Sequence, residues 1–174
     1  IAITGGASHN VIGPKNVIAY NHASGVEVYG SDCEGNTITR NSIHDNGWLG
    51  IDLWGGGNGN LDCPVILDFD LKDGAVSGLS PSGSTVEVYS SGDEEGKTYE
   101  AQATADSAGS FTINTGVPFA GPRLTATATN ALGNTTEFSM ATIGQGGSLT
   151  LQESNNQRAT QFRALQSRHL QDNR

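Results

Sequence analysis

Residues 16–21 read Asn-Val-Ile-Ala-Tyr-Asn, and residues 41–46 read Asn-Ser-Ile-His-Asp-Asn, 25 positions further on. The same offset carries Ile18 to Ile43, Gly25 to Gly50, Val26 to Ile51 and Val28 to Leu53. It also carries Ile1 and Ile3 to Val26 and Val28. Asn10-Val11-Ile12 matches Asn36-Thr37-Ile38 with the offset slipped by one. Agreement at so many positions in one register marks an internal repeat.

Within each copy the apolar residues alternate, as at Val26 and Val28, then Ile51 and Leu53. A period of two means a β-strand with one buried face. Strands of only a few residues cannot bury that face alone, but they can by stacking on the equivalent strand of the next copy. Asparagine suits the corners of such a solenoid, because it tolerates a left-handed backbone and its amide can bond to the next coil.

The Asn-x-Ile-x-x-Asn-x-Ile spacing, followed by Gly50-Ile-Asp-Leu53, resembles the right-handed parallel β-helix repeat of bacterial secreted proteins. The resemblance covers residues 1 to about 60 and implies a parallel β-helix there. Ile1 and Ile3 already occupy a strand position. Solenoids need about three repeats or more, and an upper coil would expose open strand edges. Residues 1–60 are therefore expected to be the last coils of a longer β-helix, completed by upstream coils or by a neighbouring subunit.

After Gly55-Gly-Gly-Asn-Gly-Asn60 the pattern changes. Strands are predicted at 64–70, 75–79, 85–90, 98–104, 109–113, 122–129 and 135–142. They are divided by turn signals such as Lys72-Asp-Gly74, Pro81-Ser-Gly83 and Leu132-Gly-Asn134. Short strands at this spacing predict an immunoglobulin-like sandwich over 61–143. Val86, Val88, Phe111, Ile113, Leu124, Ala126 and Ala128 are its predicted inward positions. The words Gly83-Ser-Thr-Val-Glu-Val-Tyr89, Leu124-Thr-Ala-Thr-Ala-Thr129 and Gly133-Asn-Thr-Thr-Glu-Phe-Ser139 resemble a module that often follows such β-helices. That resemblance implies a non-catalytic Ig-like β-sandwich.

Residues 144–174 form a Gly hinge and a Gln- and Arg-rich tail. Phe162, Leu165 and His169 lie at helical spacing, so a short helix is expected there. The tail carries Arg158, Arg163, Arg168 and Arg174 against Glu153 and Asp172, a balance of +2, which leaves −11 of the net −9 on the rest. A basic tail on an acidic body is expected to dock on a neighbouring subunit, through Arg158, Phe162, Arg163, Leu165 and Arg168.

The chain has 174 residues, 24 of them Gly, and only 16% are charged. Such a chain is rich in turn formers and poor in helix formers, which makes the fold all-β. Its acidity excludes a general nucleic-acid binder, since phosphate contacts need clustered Lys and Arg. No run of residues is long and apolar enough for a membrane span. Low charge density suits a secreted, extracellular or cell-surface protein.

The repeat register makes a sharp prediction about the surface. If Val26, Val28, Ile51 and Leu53 point inward, Glu27, Tyr29, Asp52 and Trp54 point outward. Strands about 4.8 Å apart then stack two carboxylates beside two aromatics. That combination suits a sugar ring, and paired carboxylates at about 5 Å also suit a retaining glycosidase; the plainer reading is a surface covered by neighbouring coils or by the sandwich. Polysaccharide lyases and hydrolases use the parallel β-helix, but lyase chemistry needs a base beside bound calcium. The coils carry only Lys15 and Arg40, with no matching acidic cluster. His9, His22 and His44 lack a paired nucleophile.

Asp68, Asp70 and Asp73 are spaced for oxygen ligation of Ca2+, though without the EF-hand pattern or its closing Glu. No other cofactor is expected. Cys33 and Cys63 are expected to form a disulfide, which in the chain-entropy account would contribute about 3.5 kcal/mol. Asn134-Thr-Thr is a glycosylation sequon. The expected role is structural or adhesive, with a rigid β-helix spacer and a capping sandwich. The alternatives are a carbohydrate-binding module or the C-terminal fragment of a polysaccharide-degrading enzyme.

Overall fold

The computed structural model describes residues 1–143, and every described element except one 3-10 turn is a strand. The predicted tail helix and the docking residues Arg158, Phe162, Arg163, Leu165 and Arg168 lie outside the described residues. Among the described residues no helix is long and apolar enough to cross a membrane.

The first seven strands are β1 (Ala2–Ile3), β2 (Val11–Ile12), β3 (Val17–Ala19), β4 (Val26–Tyr29), β5 (Thr37–Ile38), β6 (Ser42–His44) and β7 (Ile51–Trp54). They pair in parallel as three narrow sheets, β1-β4-β7, β2-β5 and β3-β6. Ile18 faces Ile43, Val26 faces Ile51 and Val28 faces Leu53, which is the register of the repeat. Val11 pairs with Thr37, so the slipped offset is real and is absorbed in the turns. Ile3, Ile18, Val26, Val28, Cys33, Ile38, Ile43, Ile51 and Leu53 form one core inside the coils. Burying each such side chain contributes about 1.5–3 kcal/mol.

Asparagines tie the corners. Asn36, Asn41 and Asn46 accept from Asn10, Asn16 and Asn21 in the coil above, at 2.9, 3.1 and 2.7 Å between side chains. Asn36 and Asn41 are almost fully buried, and these bonds make burial of a carboxamide tolerable.

A 3-10 turn at Gly57–Asn60 ends the coils. Seven further strands follow: β8 (Val65–Asp70), β9 (Ala75–Leu79), β10 (Thr85–Ser91), β11 (Thr98–Thr104), β12 (Ser110–Asn114), β13 (Arg123–Thr129) and β14 (Thr142–Ile143). They build two antiparallel sheets, β12-β9-β8 and β11-β10-β13-β14. Ile66, Val76, Val86, Val88, Phe111, Ile113, Leu124 and Ala126, drawn from both sheets, share one core.

The predicted strand 135–142 is different in kind. Its ladder beside β13 is partly replaced by hydroxyls: Ala128 N donates to Thr136 Oγ1 and Ala126 N to Ser139 Oγ, at 3.0 and 2.9 Å. Regular pairing resumes only at β14.

The disulfide expectation is corrected. Both cysteines are free, with Cys33 buried in the coil core. The repeat register places Asn58, not Cys63, beneath Cys33: Asn58 N donates to Cys33 O at 2.8 Å. The 3-10 turn then carries Cys63 beyond the coil. Burial, with the charges of Glu137 and Asp62 nearby, pushes the Cys63 thiol up to about 12.

Candidate functional site

The outward strip forms as the register requires. Glu27 pairs with Asp52 and Tyr29 with Trp54 across β4 and β7. The Tyr29 and Trp54 rings lie 4.2 Å apart at a tilt of 38°, so each spends one face on the other. Trp54 Nε1 donates to Glu27 Oε1 at 3.1 Å, and Ser24 Oγ donates to Asp52 Oδ2 at 2.8 Å. Both carboxylates are thus engaged inside the strip. Tyr29 and Trp54 keep 42% and 38% of their surface exposed, which leaves ring surface available to a ligand.

A second set of functional groups was not legible as a set. The outer face of the β10–β13 sheet lies on the last coil. Glu87, Tyr89, Thr125 and Thr127 are all nearly buried there. The backbone amides that the last coil would leave unpaired receive acceptors from this unit. Gly35 N is taken by Asn134 Oδ1, Ile38 N by Thr135 Oγ1 at 2.9 Å and Arg40 N by Glu87 Oε2 at 3.0 Å. Ile43 and Gly96 exchange both backbone bonds at 2.9 Å. Asn46 N goes to Glu95 Oε2 at 3.0 Å and Leu53 N to Glu137 Oε1 at 2.9 Å.

Phe138 packs against the coil core. It also meets Tyr89 edge-on at 5.4 Å. A Cβ on Gly50 would stand 2.9 Å from its ring and one on Gly96 2.4 Å, so glycine is what lets the ring seat. The signal was present but mute: the Thr-Thr-Glu-Phe run carries three of these contacts.

Burial and the neighbouring Glu87 carboxylate push the Tyr89 phenol well above its ordinary range. Burial, opposed by bonds from Asn46 and reinforced by Asp93, holds Glu95 above the usual carboxylate value. Burial acts on Asp93 in the same sense, but bonds from Ser91 and from the amides of Glu95 and Asp45 outweigh it and hold Asp93 low.

Other predicted groups do not converge. His44 Nδ1 lies 2.7 Å from Asp45 Oδ2, with Tyr20 edge-on at 5.9 Å. Asp68, Asp70 and Asp73 are exposed, and among the described residues no three or more acids, histidines or cysteines are grouped so that they could hold a metal ion. Asp70 Oδ1 instead takes the amides of Lys72 and Asp73 at 2.8 and 3.3 Å, closing the turn. The sequon residue Asn134 is buried against Gly35.

Residues 1–70 match a family model described as the right-handed beta helix region. With three parallel sheets stacked at the repeat register, the match supports a β-helix-type repeat over this part of the chain. It runs past the last coil into β8, which pairs antiparallel with β9. A comparison with curated proteins finds no match to the chain.

Proposed function

We propose that this chain is a non-catalytic structural or adhesive component of a secreted or cell-surface assembly. Its β-helix is a rigid spacer, and an Ig-like sandwich closes one end. The observation that carries the reading is the row of acceptors along the last coil: Asn134, Thr135, Glu87, Gly96, Glu95 and Glu137 each take an amide of its edge. An uncovered edge would recruit other strands, so a dedicated cover suits a part built to stand at a fixed end. The strand order, first, second and fifth in one sheet and third, fourth, sixth and seventh in the other, supports the Ig-like reading. Low charge and high Gly content support an extracellular setting.

The test is the native mass of the protein from its source beside its denatured mass. A large native particle built from chains near 18.0 kDa supports the assembly. A lone monomer of that mass overturns it. A second reading, a carbohydrate-binding surface at Glu27, Tyr29, Asp52 and Trp54, is favoured by the half-exposed aromatic pair.

A further inference from the structure

The outward strip across β4 and β7 joins two kinds of surface in one register. Glu27 stands directly opposite Asp52, and Tyr29 directly opposite Trp54. Within each strand the carboxylate and the ring are two residues apart on one face, about 7 Å along the chain. Glu27 and Asp52 are thus a like-charge pair in direct cross-strand register, an arrangement that costs stability in a bare sheet.

The side chains of the strip are held rather than left to rotate. Trp54 Nε1 donates to Glu27 Oε1 at 3.1 Å, which fixes that carboxylate at the rim of the indole. Ser24, itself buried, donates to Asp52 Oδ2 at 2.8 Å. The two rings lean on each other at 4.2 Å, yet both remain half-exposed. Among the described residues no basic side chain forms an ion pair with Glu27. A ring laid on the outer face of the indole therefore meets a negative charge at its edge.

Ligand classes are separated by this arrangement. A uronate or sulfated glycan would set its own charge against two carboxylates, and like-charge contacts are unfavourable. A neutral glycan would stack on the rings and give hydroxyls to the carboxylates, but would leave both charges uncompensated. An amino sugar matches both halves. The C–H face of its pyranose covers the rings, and its ammonium brings three donors and a positive charge to the rim. A lysine side chain brings the same charge but only a narrow stem to cover two rings.

We propose that the strip binds an amino sugar, with its ring on Tyr29 and Trp54 and its ammonium between Glu27 and Asp52. The proposal rests on the carbohydrate-binding reading of this surface and names the sugar class which that reading leaves open. The ammonium supplies the countercharge that the cross-strand carboxylate pair calls for. Because the site is half-exposed, salt should weaken the charge contribution and leave the stacking.

The test titrates the whole chain, by calorimetry at mildly acidic pH, with three oligomers of equal length and linkage: glucosamine, N-acetylglucosamine and glucose. In that range the amine is protonated and the carboxylates stay ionised. The glucosamine oligomer is expected to bind roughly tenfold more tightly than the other two, since charge-assisted hydrogen bonds are the stronger ones. That preference should fall away in high salt. It should also fall away in Glu27→Gln, which keeps the oxygen that Trp54 bonds but loses the charge. Trp54→Ala should lose binding to all three. Equal affinity for the three oligomers overturns the amino-sugar proposal and leaves the carbohydrate reading standing. No binding to any of them overturns both. Glucosamine binding that survives Trp54→Ala, or that polylysine matches amine for amine, overturns the proposal too, because the strip would then be an acidic surface without sugar recognition. Should Glu27→Gln fail to fold, the preference of the parent protein and its salt dependence decide alone.

Discussion

Glu95 stands against Asn46 where the next asparagine of a corner ladder would stand. Asn46 N reaches Glu95 Oε2 at 3.0 Å and Asn46 Nδ2 reaches Glu95 Oε1 at 3.1 Å. Those are the same two donors that Asn21 directs at Asn46. A residue of the antiparallel unit thus completes a pattern begun by the repeat. Glu95→Ala leaves Asn46 N without its acceptor and takes one bond from Asn46 Nδ2, which keeps the carbonyls of Ile18 and His44, so it should cost about 1–3 kcal/mol. Glu95→Gln keeps a carboxamide oxygen like that of Asn46 and should recover most of the loss. Urea denaturation of the three proteins decides it; equal losses for Ala and Gln would refute the ladder role.

The acid limb of the stability curve should carry two opposed slopes. Glu95 binds its proton more readily folded than unfolded, so stability declines as pH rises from the ordinary carboxylate value through its raised folded value. Asp93 binds its proton less readily folded, so its contribution is lost as pH falls below the ordinary value. Glu95→Gln should abolish the first slope and keep the second. Denaturant midpoints between about pH 3 and pH 7 test this, and an unchanged profile in Glu95→Gln would assign the slope elsewhere.

Trp54→Ala removes the ring stack and the bond to Glu27 but no backbone contact of the ladder. It should leave the fold intact and cost about 1 kcal/mol. Glycan binding by this variant separates the two functional readings. Full retention of any binding shown by the parent protein would exclude the strip as the site.

Because Cys33 and Cys63 are free, Tm should be the same with and without reductant. The Cys63 thiol, pushed up to about 12, holds almost no thiolate at neutral pH and should alkylate very slowly until the chain unfolds. A reductant-dependent Tm would restore the bridge.

Phe138→Ala empties the space bounded by Gly50, Gly96 and Tyr89 and should cost about 3 kcal/mol. Gly50→Ala should do comparable harm in the presence of Phe138 and much less in its absence. Additive losses would show that the two positions do not meet.

The coils were legible because in-and-out alternation and corner asparagines are written directly in the chain. Val26 against Ile51 and Asn16 against Asn41 follow from spacing alone. The strands from β8 to β13 were legible from turn chemistry. The junction was not. Glu87 lies between the inward Val86 and Val88, and alternation sends it to solvent, yet a second covered face keeps it at 4% exposure. Period two reports which side a residue faces, never what lies on that side. Cys63 misled for a related reason: a count of residues does not show that a 3-10 turn has used up the register before it.

The bonds that close the last coil span great lengths of chain. Gly35 is served by Asn134 and Ile38 by Thr135, 99 and 97 positions downstream. During synthesis these coils emerge well before the residues that finish them. Contacts of such sequence separation form slowly, and until Phe138 arrives the second coil waits with its core ajar. Translation therefore runs against assembly: the edge of the second coil is finished only by residues made about a hundred positions later, which leaves a window in which a chaperone would have a bare coil edge to guard.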